Sequence, residues 1–235
     1  MQAVTPNKPD TKLPPLPVTV DTVIFTVMDH TLQVLLVKRR EEKFAGLWSL
    51  PGGFVSEDES LEAAALRELD EATGVRDVYL EQLYTFGDPG RDTRGRVVSV
   101  AYVALLAADR CPLVPNDLEA EARWWPVYEL PQLAFDHPQM IEVALDRVRT
   151  KLEYTTIGFQ LMGATFTLGE LQRIYEVVLD RKLDKRNFRR RLQLLDLVEP
   201  TGETFQDGPG RPAVLHRFRH VDFVHLRERG IHSPF

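Results

Sequence analysis

Two stretches near the start carry the apolar pattern of strands. VTVDTVIFTV (18–27) and LQVLLVKR (32–39) are rich in β-branched and aliphatic residues and are broken at 28–31. After the glycine pair Gly52 and Gly53 the pattern turns Ala-, Leu- and Glu-rich over 60–73, which predicts a helix stopped by Gly74. VYLEQLYTF (78–86) and VVSVAYVALL (97–106) predict two further strands around the loop GDPGRDTRG, and 122–127 a short one. Ile141, Ala144, Leu145 and Val148 share one side of a predicted helix over 137–150.

Beyond residue 150 the pattern changes. A helix is expected over 154–162, and a second opens at Thr167, with Glu170 three positions on in the capping-box spacing. A third, 185–195, is N-capped by Asp184. LVEPTGE and AVLHRF then predict two strands around the Gly- and Pro-rich tip QDGPGRP. Three helices and a hairpin describe a winged helix.

A length of 235 residues fits two domains better than one or three. The expected division is a flexible lead-in over 1–17, a mixed α/β domain over 18–150 and a winged helix over 151–235. With 43% hydrophobic and 27% charged residues the composition is that of a soluble globular protein. The single cysteine, Cys111, excludes an internal disulfide and fits a reducing, cytoplasmic setting. Apolar runs such as VLLV (34–37) are too short to span a bilayer, so no membrane role is expected. The net charge of −6 hides an asymmetry. Residues 1–150 hold 15 Lys and Arg against 24 Asp and Glu, whereas 151–235 hold 14 against 11. Only the second half has the sign that suits a polyanion.

The segment GGFVSEDESLEAAALRELDEATGV (52–75) places Gly53, Glu59, Arg67, Glu68, Leu69, Glu71, Gly74 and Val75 at the spacing G-x5-E-x7-R-E-U-x-E-E-x-G-U. It resembles the Nudix box, and only position 72 departs, with Ala72 where the box has Glu. Carboxylates three and four residues apart share a helix face and converge on hard cations such as Mg²⁺, which clamp a diphosphate and activate water. Arg67, by the same resemblance, orients the glutamates. Loss of the carboxylate at 72, from the centre of that face, leaves Glu68 and Glu71 as a weak metal pair. The box Glu59, Arg67, Glu68 and Glu71 is then vestigial for catalysis, and hydrolysis suffers more than binding. A solvated acidic helix face is the plain alternative for any Glu-rich run. Arg39, Arg40, Arg91 and Arg94, on a strand end and a loop, suit a diphosphate and join Gly52, Gly53, Glu68 and Glu71 as ligand-site candidates. The loop GDPGRDTRGRVVSVAY and FDHPQMI resemble the ADP-ribose-handling Nudix branch. Trp48, Phe86 and Tyr102 are either core or a stacking surface for adenine.

DKRNFRRRLQLLDLVE sets Phe188, Leu192 and Leu195 in one apolar stripe and leaves Lys185, Arg186, Asn187, Arg189 and Arg190 on the other faces. That is the pattern of a DNA-recognition helix, in which Arg reads guanine, Asn reads adenine and Lys meets phosphate. Arg211 at the wing tip is the remaining DNA-binding candidate.

A degenerate Nudix box followed by FTLGELQRIYEVVLDRKLDKRNFRRRLQLLDLVEPTGE and GRPAVLHRF resembles the Nudix-related transcriptional regulators of NAD metabolism, the NrtR family. The resemblance implies an α+β chain, a Nudix-fold α/β/α sandwich followed by a winged helix-turn-helix domain. It implies ADP-ribose as effector, no required cofactor beyond weak Mg²⁺, and a homodimer that represses from a palindromic operator in double-stranded DNA. Two other readings fit the same residues: a Mg²⁺-dependent ADP-ribose pyrophosphatase with an accessory C-terminal domain, and a sensor of some other nucleotide or sugar.

Overall fold

The structure is a computed structural model that describes residues 16–39, 44–76, 78–111, 121–206 and 212–219. Strands β1 (Val18–Met28) and β2 (Thr31–Lys38) form a hairpin whose two turn residues, Asp29 and His30, both take positive φ, 49° and 61°. Such a turn matches the right-handed twist of its strands. Two short strands, β3 (Trp48–Ser49) and β4 (Gly52–Phe54), precede helix α1 (Leu61–Thr73). Strands β5 (Tyr79–Phe86), β6 (Val98–Leu105) and β7 (Ala122–Pro126) and helix α2 (His137–Leu152) follow. The sheet runs β3-β2-β1-β6-β5, with β4 on β1 and β7 on β2, and β1 and β6 are parallel at its centre.

Both faces of this sheet are covered. Val23 and Phe25 of β1 and Ala101, Val103 and Leu105 of β6 pack in one cluster with Met140, Ile141, Ala144 and Val148 of α2. Their neighbours Ile24 and Ala104 face the other way, onto Leu69 and Ala72 of α1, while Val20, Val100 and Tyr102 pack on Ala64 and Ala65. The period-2 alternation of the strands thus feeds two helix layers, an α/β/α sandwich.

The second unit holds β8 (Phe166–Thr167), α3 (Leu168–Leu179), α4 (Lys185–Leu194), β9 (Val198–Phe205) and β10 (Ala213–Phe218), with the sheet order β8-β10-β9. The capping box at Thr167 and Glu170 is formed in full, and Asp184 caps α4. The helix expected over 154–162 is instead one short 3-10 helix, Ile157–Leu161. The β-branched pair Thr155 and Thr156 and the glycine at 158 give little support to an α-helix. Gly158 is also pressed between neighbours: a Cβ there would lie 2.7 Å from Leu152 and 2.8 Å from Tyr175. The apolar cluster under α2 continues without a break through Leu152, Ile157 and Phe159 into Tyr175, Phe188 and Leu192. No described helix is long and apolar enough to cross a membrane.

Candidate ligand cleft and nucleic-acid interface

Helix α1 is fixed at both ends. The Ser60 hydroxyl accepts from the Ala63 amide at 3.1 Å, and Gly74, at φ 70°, donates its own amide to Asp70 O. Between them Arg67 gathers the acidic side chains. Its guanidinium donates to both oxygens of Glu59 at 2.8 and 3.2 Å and to Glu68 at 2.6 Å, and it stands 3.6 Å from Glu71. The Arg67 bonds, with the Ser56 amide, hold the Glu59 carboxyl down to about 2, while the two carboxylates push Arg67 above the usual arginine range. Gly53 allows this arrangement, because a Cβ there would collide with the Glu68 carboxylate.

Ala72 is only 6% exposed and packs with Leu69, Ile24 and Leu35. Four residues on from Glu68, it is rotated by about 40° toward the apolar face. The centre of the acidic stripe is therefore Glu68, and position 72 lies at its seam with the core, which corrects the expectation that Ala72 opens a gap at the centre. Glu68 and Glu71 are the side chains here that could hold a cation, but Glu68 already accepts from Arg67. Among the described residues no three His, Cys, Asp or Glu side chains gather in a way that could hold a metal ion. This donor set does not fit a tightly bound Mg²⁺.

On the other side of β4 lies a small, partly open cleft of about 90 Å³. Gly52 lies against the Val20 carbonyl and the Asp21 carboxylate with no room for a Cβ. The floor is a buried polar network around Asp21, which accepts from the Ser99 hydroxyl and lies 3.5 Å from His137 Nε2. His137 Nδ1 accepts the Leu50 amide at 2.9 Å, so the neutral ring carries its proton on Nε2, toward Asp21. Burial pushes the His137 pKa down.

Arg39, Arg91 and Arg94 rim the cleft. They are not equivalent. The Arg91 side chain is 4% exposed, is gripped by Asp136 at 2.7 and 3.0 Å, and lies 3.8 Å from Asp21. Arg94 is bonded to Asp92 at 2.9–3.2 Å yet remains partly open to solvent. Arg39 and Arg94 lie over the same ring, Phe135, at 4.9 and 5.4 Å. Phe135 itself holds a φ of 55°, an unusual backbone for an aromatic residue.

The candidates Arg39, Gly52, Gly53, Arg91 and Arg94 thus surround one cleft, with Glu68 and Glu71 on the helix side of β4. Arg40 lies outside the described residues. The expected stacking aromatics are elsewhere. Trp48 packs edge-on against Trp125, Tyr102 is buried beneath α1, and Phe86 meets Tyr84 on β5. Strand alternation turns Tyr102 away from the cleft. The aromatics at the cleft are Phe54 and Phe135, which the sequence reading passed over. Their positions, directly after the glycine pair and before Asp136, were the available signal.

One pH effect follows. The unfolded histidine, with its ordinary pKa of 6.5, takes up a proton before the folded one does. The stability contributed by neutral His137 is complete above about pH 6.5 and is lost as pH falls below it. Lowering pH from about 7 to about 5 is expected to cost about 2–4 °C in Tm per kcal/mol lost. A His137→Asn variant, which can still accept from Leu50, should lack this step in the same thermal scan. Glu59 does not interfere, since its contribution is lost only between 4.5 and about 2.

In the second unit α4 presents Lys185, Arg186, Arg189 and Arg190 to solvent, with Asn187 half-buried. The Asp184 carboxylate accepts the Asn187 amide at 2.7 Å, and Arg190 donates to the Asn187 side-chain oxygen at 3.2 Å. Phe188 and Leu192 are buried beneath, Phe188 edge-on to Tyr175 at 5.6 Å, and Leu195 is half-buried at the helix end. Arg211 lies outside the described residues.

Residues 16–144 match the family model of the NUDIX domain, and 158–218 match that of the NrtR DNA-binding winged helix domain. The ADPR responsive transcriptional repressor NtrR of Acinetobacter baylyi is 39% identical, over 87% of this chain and 83% of that protein. The crystal structure of Shewanella oneidensis NrtR complexed with a 27mer DNA is similar at a TM-score of 0.78 and 43% identity, covering 86% of this chain and 93% of that one. The NUDIX domain of the same Shewanella protein, crystallised with ADP ribose, is similar at a TM-score of 0.53 and 45% identity, covering 60% of this chain and 94% of that one. A Nudix sandwich and an NrtR-type winged helix follow one another in a single polypeptide, and the chain belongs to the NrtR family.

Proposed function

We propose that this protein is an ADP-ribose-responsive transcriptional repressor of genes for NAD synthesis or salvage. In this reading residues 18–150 sense the effector and residues 151–235 bind operator DNA. The observation that carries it is one continuous fold holding an arginine-rimmed cleft and an exposed basic helix, in a chain whose relatives include an ADPR responsive repressor and an NrtR bound to DNA. Arg39 and Arg94 supply charge-assisted donors for a diphosphate, and Phe54 and Phe135 supply ring faces. Glu68 and Glu71, tied to Arg67, shape the wall behind β4 and are not the centre of a fast hydrolase. On α4, Arg186, Asn187, Arg189 and Arg190 meet base edges and Lys185 meets phosphate.

A homodimer on a palindromic operator doubles these contacts, with half-sites about one helical turn apart. Release requires that ADP-ribose favour the arrangement that DNA does not, and a coupling of about 1–3 kcal/mol weakens DNA affinity roughly 5–150-fold. This chemistry belongs in the cytoplasm. The test is a fluorescence anisotropy titration with a palindromic promoter fragment taken from NAD-synthesis genes. Binding that ADP-ribose reverses, with negligible Mg²⁺-dependent formation of AMP, is the expected result. Brisk cleavage of ADP-ribose by a protein that ignores the duplex would replace the repressor with a pyrophosphatase.

A further inference from the structure

Helix α2 begins at the cleft and ends under the winged helix. At its start, Phe135 and His137 line the cleft, and Asp136 occupies the N-cap without capping, since its carboxylate grips Arg91 instead. Arg39 and Arg94, which would hold an anion in the cleft, both lie over the Phe135 ring beside that first turn. The first turn of α2 is thereby exposed to the state of the ligand site.

Sixteen residues later, a span of about 24 Å, the other end of α2 makes two kinds of contact with the second unit. Leu152 is buried against Gly158, whose missing side chain also lets Tyr175 of α3 close in, and Tyr175 packs on Phe188 of α4. Arg149 donates its Nε to the carbonyl of Val178 at 2.9 Å and one Nη to the Tyr128 hydroxyl. Val178 lies in the last turn of α3, where carbonyls lack intrahelical partners and the helix dipole favours a cation. Arg149 thus caps a helix of the DNA-binding unit from a helix of the sensing unit. Around this bond His30, Tyr128, Arg173, Val177 and Arg181 line an open groove between the two units. Arg173 meets the His30 ring at 3.3 Å and Arg181 lies 3.5 Å from Glu153 across the same seam, but Arg149 is the cation that reaches from α2 itself to a backbone carbonyl of α3.

We infer that Arg149 is the positioning residue through which α2 transmits the state of the ligand cleft to α3, and through Tyr175 and Phe188 to the reading helix α4. The inference rests on the proposed effector-controlled DNA binding and adds the route by which it acts. Arg149 is not among the residues that line the cleft and does not lie on α4. Its removal should leave both single affinities in place and abolish only their dependence on each other.

The experiment measures operator affinity of the full chain with and without saturating ADP-ribose, and ADP-ribose affinity without DNA, for wild type and for Arg149→Ala. Wild type should lose about 5–150-fold in operator affinity on adding ADP-ribose. In Arg149→Ala each single affinity should stay within about threefold, with the ADP-ribose effect reduced to less than about twofold. Arg149→Lys, which keeps a cation at the end of α3, should restore part of the response. A purely structural role would lower Tm and both affinities without erasing their coupling. If Arg149→Ala does not fold, Tyr128→Phe removes only the acceptor of the second arm and should weaken the response in the same sense. Full ADP-ribose release in every folded variant overturns the inference and leaves the proposed function standing. Absence of release in wild type overturns the proposed function and the inference with it.

Discussion

Replacing Arg186 and Arg190 together by alanine is expected to weaken operator binding about a hundredfold or more while leaving ADP-ribose affinity unchanged. Both side chains lie on the solvent side of α4, opposite Phe188 and Leu192, so the substitution leaves the buried stripe intact. Alanine is a strong helix former, which keeps α4 folded. Each bidentate base contact is worth about 1–3 kcal/mol, and each 1.4 kcal/mol is tenfold in affinity. Anisotropy with the operator and calorimetry with ADP-ribose check the two halves separately. Operator affinity within threefold of wild type would move the reading surface off α4.

The mirror experiment removes Arg39 and Arg94. The double alanine variant should bind ADP-ribose about a hundredfold more weakly or worse, since hydrogen bonds to charged groups contribute about 1.5–3 kcal/mol each. Its operator affinity in the absence of effector should match wild type. Such a protein would stay on its operator at ADP-ribose concentrations that release the wild type, which an operator-release titration reads directly. Arg91 is the wrong residue for this purpose. Its buried guanidinium neutralises Asp136 and lies near Asp21, so deleting it leaves buried carboxylates uncompensated and costs stability as well as binding. Unchanged ADP-ribose affinity in the Arg39/Arg94 variant would place the effector outside this cleft.

Much of the fold was legible because long elements repeat their signal. The eleven residues of β1, the helix stop at Gly74, the box at Thr167 and Glu170 and the cap at Asp184 each state their structure locally. The two-residue β3 and three-residue β4 are too short to show a period, and both went unpredicted. The segment at 157–161 is shaped by what Gly158 must fit between, which is tertiary information. The cleft was partly legible: the arginines were found from their loops, but nothing local separates buried Arg91 from half-open Arg94. Phe54 and Phe135 were missed because a lone aromatic residue reveals its neighbours only once the chain is folded. Ala72 was visible as a departure from the Nudix box, but its place at the seam of the helix needed the packing of Leu69 and Ile24.

The central ladder has a consequence for biosynthesis. Val18 pairs with Val98 across β1 and β6, and Gln33 with Pro126 across β2 and β7, so the first strands wait for partners about eighty to ninety residues downstream. The three-stranded sheet of the C-terminal unit closes over a much shorter stretch, from Phe166 to Phe218. It leaves the ribosome after the sandwich is complete, and it docks on an α2 already in place. Domains made on the ribosome fold in order from the N-terminus. A nascent chain of this protein therefore acquires the means to be switched off before it acquires the means to grip a chromosome.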